Sequence, residues 1–351
     1  MKFELDKLIR ENIRKLIPYS SARHEFKGDA SVFLDANENS YGSPLNENFN
    51  RYPDPLQTKL KNAIALLKHA PVENIFIGNG SDEVIDLVYR IFCNPGKDNV
   101  IICPPTYGMY EVSANINDVE IRKVNLTNDF QLDVNGIISA TDQNTKLLFL
   151  CSPNNPTGNI MIRQDVDLLV KSFSGIVIVD EAYINYSKQR TFIEDLPKYP
   201  NLIVMQTLSK AWGLASLRIG IAFASLPIIE LLNKVKPPYN INKASQQLAI
   251  EALQNIGQVN DWMRQTIEER NIIRKELSAL SFVKKIYESD ANFLLVKVDN
   301  ANHLYSYLST NKIIVRNRSK DVMCDNCLRI TIGTKEENFE LLKALKKYNH
   351  E

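Results

Sequence analysis

Six short apolar segments recur between residues 72 and 224, and a polar or glycine-bearing segment follows each of them. They read NIFIGNG, NVIICPP, KLLFLCSP, GIVIVDEAY, NLIVMQTLSK and RIGIAFAS. Several are continuous β-branched runs rather than alternating apolar and polar positions, which is typical of strands buried on both faces of a mostly parallel sheet. Helix-like segments separate them. The pattern predicts an α/β domain with helices on both sides of the sheet.

The segments that follow these strands carry the polar chemistry of the chain. They include GNGSDE, PPTYGMY, SPNNPTGN, DEAY and LSKAWG. Ligands of open α/β sheets bind at the carboxyl ends of the strands. We therefore expect the functional side chains to converge on one edge of the sheet.

The pattern changes after Pro237 and Pro238. The segment QVNDWMRQTIEERNIIRKEL is typical of a long amphipathic helix, with an apolar face predicted to comprise Trp262, Ile267, Ile272, Ile273 and Leu277. The strand-like segments NFLLVKV, KIIVRNR and CLRITIG follow, and then a charged, helix-like end. This order predicts a smaller α+β domain carried on a long helix.

The domain boundaries predicted from these changes are an N-terminal arm, a large domain and a small domain. The arm covers residues 1–35 and is expected to pack with the small domain. The large α/β domain covers 36–255, and the small C-terminal α+β domain covers 256–351.

Composition and charge narrow the class of protein. The 351 residues include 42 basic and 41 acidic side chains, a formal net charge of +1, which gives no electrostatic reason to expect nucleic acid or an anionic membrane as a partner. The N-terminal sequence MKFELDKLIRENIRK lacks the apolar core of an export signal. We therefore expect a cytoplasmic protein that binds a small molecule.

The five cysteines are scattered and odd in number, which favours reduced thiols over a disulfide framework. Cys324 and Cys327 form a CDNC pair, the spacing of half a zinc site or of a redox dithiol. A structural zinc site needs four ligands, and no second pair follows. We expect no metal, and the redox or metal role of this pair stays the alternative.

The GNGSDE segment ends a predicted strand and begins a predicted helix. Free N–H groups and the positive end of the helix dipole make such a start an anion site, so Gly80, Ser81 and Asp82 are candidates for binding a phosphate. The alternative is that Ser81 or Asp82 only caps the helix.

Two other strand ends carry candidate polar groups. Asn155 lies in SPNNPTG, where it either contacts a ligand or only completes a turn. Asp180 and Glu181 follow an apolar strand two residues before Tyr183. A carboxylate in that position is partly desolvated and favours a cationic partner, and Asp180 is the better candidate because it follows the strand directly. A solvated pair that caps the next helix is the alternative.

The segment TLSKAWGLASLRIG places Lys210 among small and apolar residues, with Arg218 eight positions later. Desolvation can lower the pKa of such a lysine and leave a neutral amine that attacks carbonyl groups. Arg218 would provide a fixed cation for a phosphate. A surface lysine is the alternative for Lys210 taken alone.

Taken together, these strand-end groups match the requirements of pyridoxal phosphate. That cofactor needs a phosphate site, a counter-ion for its ring nitrogen, donors to its phenolic oxygen and a lysine for the Schiff base. The chain provides all of these residue types in order, each after a predicted strand.

The chain resembles the fold-type I pyridoxal phosphate-dependent aminotransferases over nearly its whole length. The matching segments are PYSSAR, LDANENS, RYPDP, GNGSDE, PPTYGMY, SPNNPTG, DEAY, LSKAWGLASLRIG and CLRITIG. Within the family it is similar to the members that act on histidinol phosphate. The resemblance implies exchange of an amino group between histidinol phosphate and 2-oxoglutarate in histidine biosynthesis, giving imidazole-acetol phosphate and glutamate.

The resemblance also implies a role for each cofactor-site residue. Lys210 would form the Schiff base and move a proton, and Asp180 would keep the pyridine nitrogen protonated. Asn155 and Tyr183 would bond the phenolic oxygen, and Tyr107 would stack on the ring. The phosphate would lie among Gly80, Ser81, Asp82, Thr207, Ser209 and Arg218. Tyr52 of RYPDP would reach that phosphate from the neighbouring subunit, which implies a homodimer with shared active sites.

For the substrate, the resemblance implies three more residues. Arg329 in CLRIT would bind a carboxylate or a phosphate, and Arg316 and Tyr19 would bind the substrate phosphate. Arg318 and Arg23 lie beside these positions, and their alternative is a solvated surface.

Three other functions stay open at this point. An aromatic amino-acid transaminase and a decarboxylase of a phosphorylated amino acid such as threonine phosphate would share the fold and the cofactor. A binding or regulatory protein that kept the fold and lost turnover belongs to a different class.

Overall fold

A computed structural model describes residues 3–19, 31–45 and 47–348 of the chain. The large sheet has seven strands. Its strands are β1 (Ile75–Asn79), β2 (Asn99–Ile102), β3 (Glu120–Lys123), β4 (Thr145–Cys151), β5 (Ile176–Asp180), β6 (Leu202–Thr207) and β7 (Ile219–Ala224). All six apolar segments form strands as predicted. The additional strand β3 reads EIRK, and its charged residues fit its position at the edge of the sheet.

The strand order is β1-β7-β6-β5-β4-β2-β3. Strands β3, β2, β4, β5 and β6 pair in parallel, whereas β7 runs antiparallel to both β6 and β1. The carboxyl ends of the parallel strands therefore meet at the same edge as the beginning of β7. This topology brings Arg218, which precedes β7, to the edge where β5 and β6 end.

Helices cover both faces of this sheet, and those after residue 255 pack largely on the small domain. They are α1 (Leu5–Leu8), α2 (Glu11–Lys15), α3 (Thr58–Lys68), α4 (Ser81–Phe92), α5 (Met109–Ile116), α6 (Val134–Ala140), α7 (Arg163–Ser172), α8 (Leu226–Val235), α9 (Lys243–Leu253), α10 (Ile256–Ser278), α11 (Ala301–Thr310) and α12 (Lys335–Tyr348). Short 3-10 turns lie at Val72–Asn74, Ile184–Tyr186, Phe192–Lys198 and Ala215–Leu217.

Successive residues of the strands point into two different hydrophobic clusters. Phe149 on β4 packs with the cluster that holds α4 and α8, while its neighbour Leu148 packs with the cluster that holds α3 and α7. Burial of one such side chain stabilises the fold by about 1.5–3 kcal/mol. The continuous apolar runs seen in the sequence are thus explained by burial on both faces.

The small domain is built on a four-stranded antiparallel sheet in the order β10-β11-β9-β8. Its strands are β8 (Val283–Ile286), β9 (Phe293–Val298), β10 (Arg316–Asn317) and β11 (Cys327–Thr331). The segment KIIVRNR forms a much shorter strand than predicted. Its apolar residues Ile313 and Val315 pack against the small-domain core before the paired residues begin, and Ile314 between them is exposed.

The long helix α10 is present, but its predicted apolar face is only partly correct. Ile273 and Leu277 are buried in the small-domain core, whereas Trp262 and Ile272 are exposed. Ile267 packs instead near Tyr183. Because different stretches of this helix contact different clusters, no single stripe describes it.

Residues 3–16 pack on the large domain, so the prediction that the arm packs with the small domain was wrong for this part of the chain. The apolar side chains of Phe3, Leu8 and Ile13 join the cluster that holds α4 and α8. The Arg10 N–H donates to the Ile91 carbonyl at 3.0 Å. The short helices α1 and α2 therefore pack beside α4 and α8. Their few apolar residues could have packed on either domain, so the sequence pattern alone could not decide between them.

None of the helices within residues 3–19, 31–45 and 47–348 has both the length and the apolar character that crossing a membrane requires.

Candidate active site

A pocket of about 270 Å³ opens at the carboxyl edge of the large sheet. It is lined by Ser81, Asp82, Tyr107, Cys151, Asn155, Asp180, Ala182, Tyr183, Thr207, Ser209, Lys210, Ala215, Arg218 and Arg329. Most of the candidates from the sequence therefore lie together, because the loops after β1, β2, β4, β5 and β6 reach the same edge.

One end of the pocket is the beginning of α4. Gly80 precedes the helix with φ +75°, and no side chain caps the first turn. The early N–H groups of α4 have no carbonyl of their own helix to bond. Ser81 and Asp82 lie inside the first turn, so the alternative in which either side chain caps the helix was wrong. The φ of +75° favours glycine at position 80, and a Cβ atom there would also displace the Arg218 guanidinium.

Donor groups surround this helix start. Arg218 Nη2 lies 3.2 Å from Asp82 Oδ2, and the Tyr107 hydroxyl donates to Asp82 Oδ1 at 3.1 Å. The Thr207 hydroxyl donates to Ser209 Oγ at 3.0 Å. Asp82 can offer an anion only its N–H, since its carboxylate repels negative charge and is bonded to Arg218 and Tyr107. The remaining donors form a site for a phosphate-sized anion.

Asp180 also lines the pocket and is only 4% exposed. Its Oδ2 accepts a hydrogen bond from the Tyr110 hydroxyl at 2.6 Å, and its Oδ1 accepts one from the Ala182 N–H at 3.0 Å. Burial raises the pKa of Asp180, while these two bonds and the Lys210 ammonium oppose the rise. A desolvated carboxylate of this kind favours a cationic partner.

Glu181 faces away from the pocket. It accepts hydrogen bonds from the Thr191 hydroxyl, the Phe192 N–H at 2.7 Å and the Gln206 amide at 2.8 Å. Both carboxylates are buried, so the alternative of a solvated pair was wrong. The preference for Asp180 over Glu181 agrees with this geometry.

Lys210 follows β6 and extends into the pocket, where its Nζ lies 5.5 Å from the centre of the Tyr183 ring. The side chain is open to solvent along the pocket. Partial desolvation lowers the pKa of Lys210, the neighbouring Arg329 cation adds to this effect, and Asp180 opposes it. A lysine with a lowered pKa can act as a nucleophile or a base near neutral pH.

Arg329 on β11 brings the small domain into the site. Its Nη1 donates to Asn155 Oδ1 at 2.5 Å, and its guanidinium lies 5.2 Å from the centre of the Phe293 ring. Its Nε is buried and has no hydrogen-bond partner among the described residues. Since buried donors are nearly always paired, this group indicates an acceptor supplied by a ligand. Asn155 thus contacts the pocket rather than only completing a turn.

The other substrate candidates lie outside the pocket lining. Arg316 is exposed on β10 and sits directly across from Arg329 in the β-ladder. Arg318 forms an ion pair with Asp321 at 2.5 Å. Tyr19 is 75% exposed, and Arg23 lies outside the described residues.

Tyr52 also lies outside the pocket of its own chain. Its ring is 51% exposed and stacks on Tyr239, with 4.5 Å between the ring centres. An exposed tyrosine held in this way can reach a site on a neighbouring chain.

Tyr110 and Cys151 were missed by the sequence analysis. Tyr110 lies three residues after Tyr107 in PPTYGMY, so one further helical turn was the available signal. Cys151 is the last residue of β4, and nothing in the sequence distinguishes it from other buried strand residues.

The Cys324 and Cys327 thiols are both buried. Burial raises their pKa values to about 12 and about 11. The Cys327 N–H donates to the Cys324 carbonyl at 3.0 Å and closes a turn before β11. Across the part of the chain that the structure describes, no three or more His, Cys, Asp and Glu side chains group as metal ligands would.

Comparison with known proteins shows the family to which the chain belongs. Residues 30–345 match the family model described as aminotransferase class I and II. The chain belongs to this family. It is 52% identical to the histidinol-phosphate aminotransferase of Cytophaga hutchinsonii over 348 residues, which cover 99% of this chain and 100% of that protein. It is also 52% identical to the enzyme of the same name from Bacteroides thetaiotaomicron, over 98% of this chain and 99% of that protein.

Solved structures show the class I and II aminotransferase fold, as the resemblance implied. The histidinol-phosphate aminotransferase of Clostridium acetobutylicum aligns with a TM-score of 0.80 at 24% identity, over 86% of this chain and 92% of that one. The enzyme of the same name from Sinorhizobium meliloti, in complex with pyridoxal-5'-phosphate, aligns with a TM-score of 0.80 at 23% identity, over 90% of each chain. The mostly parallel large sheet and the small antiparallel sheet of this chain thus form a fold-type I architecture.

Proposed function

We propose that this aminotransferase transfers an amino group between L-histidinol phosphate and 2-oxoglutarate in histidine biosynthesis, with pyridoxal phosphate as its cofactor. The products are imidazole-acetol phosphate and L-glutamate. The observation that carries the proposal is the single pocket that Lys210 shares with a buried carboxylate, Asp180, and with an anion site at the start of α4. The names of the relatives at 52% identity support the choice of substrate.

The residues of the pocket fit pyridoxal phosphate. The Gly80 backbone, which no Cβ obstructs, and the donors around it suit a phosphate. Asp180 suits a protonated ring nitrogen because its carboxylate is desolvated and lines the same pocket. When bound, the cofactor supplies a carbonyl carbon that condenses with amines and a ring that accepts an electron pair.

Each remaining residue of the pocket has a role in holding the bound groups. Arg218, Thr207 and Ser209 provide the cation and hydroxyl donors for the phosphate. The Tyr107 ring forms one wall, held by the hydrogen bond from its hydroxyl to Asp82. Asn155 and Tyr183 provide polar groups for the phenolic oxygen. These roles are the ones that the family resemblance implies, and the position of each residue in the pocket lining supports them.

Lys210 is the residue we propose for both covalent attachment and proton transfer. Its lowered pKa leaves more neutral amine near pH 7 than an ordinary lysine has. The neutral Nζ can attack a carbonyl carbon, and once displaced it can accept the proton from the amine-bearing carbon of the substrate. Tyr183 beside it limits the positions that the amine reaches.

Arg329 is the proposed site for the carboxylate of glutamate or 2-oxoglutarate. Its orphan Nε and its position against Asn155 leave part of the guanidinium for a ligand. Arg316 across the ladder and Tyr19 are proposed for the phosphate of histidinol phosphate. Two adjacent arginines would let one site accept either anion.

We further propose a cytoplasmic homodimer with shared active sites. Between residues 16 and 56 the chain exposes many large apolar side chains: Leu16, Ile17, Tyr19, Val32, Leu34, Tyr41, Leu45, Phe49, Tyr52 and Leu56. Such a concentration is typical of a protein interface. Tyr52 would enter the neighbouring site from this surface. The proposed domain division remains 1–35, 36–255 and 256–351.

Single-substrate spectroscopy tests the proposed reaction. Histidinol phosphate alone should convert the absorbance of the bound cofactor from its aldehyde to its amine form, and 2-oxoglutarate should restore it. Phenylalanine serves as the comparison donor and should react more slowly. Release of carbon dioxide from threonine phosphate, without conversion by histidinol phosphate, would overturn the proposal in favour of a decarboxylase. A protein that binds no cofactor would instead support the binding or regulatory alternative.

A further inference from the structure

Tyr110 lies directly behind the pocket, on α5 and one helical turn after Tyr107. It is completely buried, and its hydroxyl donates to Asp180 Oδ2 at 2.6 Å. The residue does not line the pocket itself. Its direct hydrogen bond to a charged group of the pocket is the one to Asp180.

The position of the Tyr110 ring is fixed from several sides. It stacks on Phe149 with 4.6 Å between ring centres, and Phe149 in turn stacks on Tyr89 at 5.5 Å. Tyr107 meets the Tyr110 ring edge-on at 5.6 Å. The Tyr89 hydroxyl also donates to the Tyr110 carbonyl at 2.8 Å. In a close-packed core, this arrangement leaves the Tyr110 hydroxyl little choice of direction.

We propose that Tyr110 is a positioning residue that keeps Asp180 ionised and aimed at the pocket through the O–H···Oδ2 hydrogen bond. The inference rests on the proposed function, because it assigns Tyr110 a part in holding the ring nitrogen of the cofactor protonated. Tyr110 touches neither substrate nor cofactor in this assignment.

The physical reason is the burial of Asp180. A carboxylate out of water is stable as an anion only where donors replace the lost hydration. Tyr110 bonds Oδ2 and the Ala182 N–H bonds Oδ1. The hydrogen bond from Tyr110 is also the largest effect that lowers the pKa of Asp180 against burial. The other titratable groups that interact with Asp180 are Asp82, Tyr107, Cys151, Tyr183 and Lys210.

The hydrogen bond from Tyr110 affects whether a proton shared between Asp180 and a ring nitrogen lies on oxygen or on nitrogen. A carboxylate that accepts two hydrogen bonds is a weaker base than one that accepts a single bond. Next to a ring nitrogen, the weaker base leaves the proton on nitrogen, while a stronger base draws it to Asp180. Tyr110 thus favours the cationic ring over a neutral pair.

The first test needs no cofactor. Infrared difference titration of the cofactor-free protein follows the protonated carboxyl band of Asp180, which is assigned by its loss in Asp180→Asn. In Tyr110→Phe we expect this band to appear about 1 to 2 pH units higher than in the unsubstituted protein, the shift expected for a lost hydrogen bond to a charged group. Tyr199→Phe is the matched control, because it removes the hydroxyl of another buried tyrosine, one that donates to Asp167 and touches neither Tyr110 nor Asp180.

The second test uses the loaded enzyme. Tyr110→Phe should lower kcat about 10- to 100-fold with little change in KM, and should shift the pH dependence of the cofactor absorbance. In an Asp180→Asn background the same substitution should have almost no further effect, because the acceptor carboxylate is gone. Tyr199→Phe should change neither quantity.

An Asp180 band at the same pH in Tyr110→Phe and the unsubstituted protein would overturn the inference. So would an equal shift in Tyr199→Phe, since it would show that loss of any buried tyrosine hydroxyl has this effect. If Tyr110→Phe does not fold, the phenolic C–O stretch of a buried tyrosine is compared between the unsubstituted protein and Asp180→Asn. An unchanged band there would also overturn the inference. Because these infrared measurements need no turnover, failure of the proposed transamination would be seen separately.

Discussion

The two sides of the site differ in how completely one chain builds them. On the large-sheet side, Asp180 is buried and bonded to Tyr110, and Arg218 is held against Asp82. On the other side, Arg316, Tyr19 and Tyr52 are exposed. A parallel sheet brings its strand ends together whatever else binds, whereas the exposed residues share no pocket within one chain. The first side is thus preformed, and the second is the side that our proposal completes with a ligand or a second chain.

The largest expected effect is that of Lys210→Ala. This substitution should lower transamination by about 1,000-fold or more, because the nucleophile and base are lost together. Cofactor binding should persist through the anion site at the start of α4, since that site is preformed and does not use Lys210. Turnover assays and a fluorescence titration with pyridoxal phosphate measure the two effects. Lys171→Ala, on the exposed face of α7, is the control.

Retention of full turnover by Lys210→Ala would remove that residue from the mechanism. Complete loss of cofactor binding in the same variant would mean that the anion site cannot hold the cofactor by itself. The large-sheet side of the site would then not be preformed, as we propose that it is.

The preformed side was the more predictable from sequence, for a physical reason. Continuous apolar runs predicted β4, β5 and β6, and parallel strands place Asn155, Asp180 and Lys210 at one edge once the strands are known. Each of these residues follows its strand closely in the sequence. The inference therefore needed only local pattern and a topological rule.

Tertiary contacts decide the features that the sequence did not reveal. The packing of residues 3–16 on α4 and α8 depends on which apolar surface is available, and two short helices could cover either domain. Trp262 is exposed because successive stretches of α10 pack against three different hydrophobic clusters, and its position faces none of them. Tyr110 gains its importance from a hydrogen bond to a residue 70 positions away.

Arg329→Gln should have the next largest effect and tests the small-domain contribution. The substitution should lower kcat/KM for glutamate and 2-oxoglutarate about 100-fold, because it removes a charge-assisted donor pair from a partly buried position. Arg318→Gln should change these values much less, since Arg318 already pairs with Asp321. Equal losses in the two variants would contradict the assignment.

Arg316→Gln should act more selectively. We expect kcat/KM to fall about 10-fold for histidinol phosphate and to change little for glutamate, because the exposed Arg316 is proposed to meet only the phosphate of the larger substrate. Steady-state kinetics with each substrate measure the ratio. An equal loss for both substrates would show that Arg316 supports Arg329 rather than the substrate phosphate.

Tyr52→Phe tests whether a second chain completes the exposed side. Loss of one hydroxyl should raise the dissociation constant of the cofactor by about 10-fold if Tyr52 reaches a neighbouring phosphate. Tyr239→Phe removes a hydroxyl from the stacked partner and should have little effect. Sedimentation velocity should give a dimer for all three proteins. A monomer with full activity would contradict the shared site.

The smallest effect concerns two buried lysines behind the segment that carries Tyr52. Lys61 on α3 and Lys236 at the end of α8 are both buried. Lys236 Nζ donates to the Pro238 carbonyl at 2.8 Å, next to the tyrosine on which Tyr52 stacks. Burial lowers the pKa of each lysine to about 8, and the Lys236 charge contributes at Lys61. Asp54 partly offsets both shifts.

The consequence for stability has a definite sign. Below pH 8 both states are protonated, and the folded state bears the full cost of the buried charges. Between pH 8 and about 10.5 the unfolded chain binds more protons than the folded one, so the free energy of unfolding should rise with pH. Lys61→Met should therefore stabilise the protein at pH 7 by about 1–2 kcal/mol and flatten this rise.

Urea unfolding at pH 7, 8, 9 and 10 measures the effect, with Lys59→Met as the control because Lys59 is exposed on the same helix. An unchanged stability at pH 7 together with a flat profile would mean that a second chain supplies an acidic partner for Lys61. In that case a second chain would contact the buried lysines behind Tyr52 as well as the exposed Tyr52 ring. If the free energy of unfolding rises with pH and Lys61→Met removes the rise, the buried lysines are complete within one chain. Only the exposed residues around Tyr52 would then need a second chain.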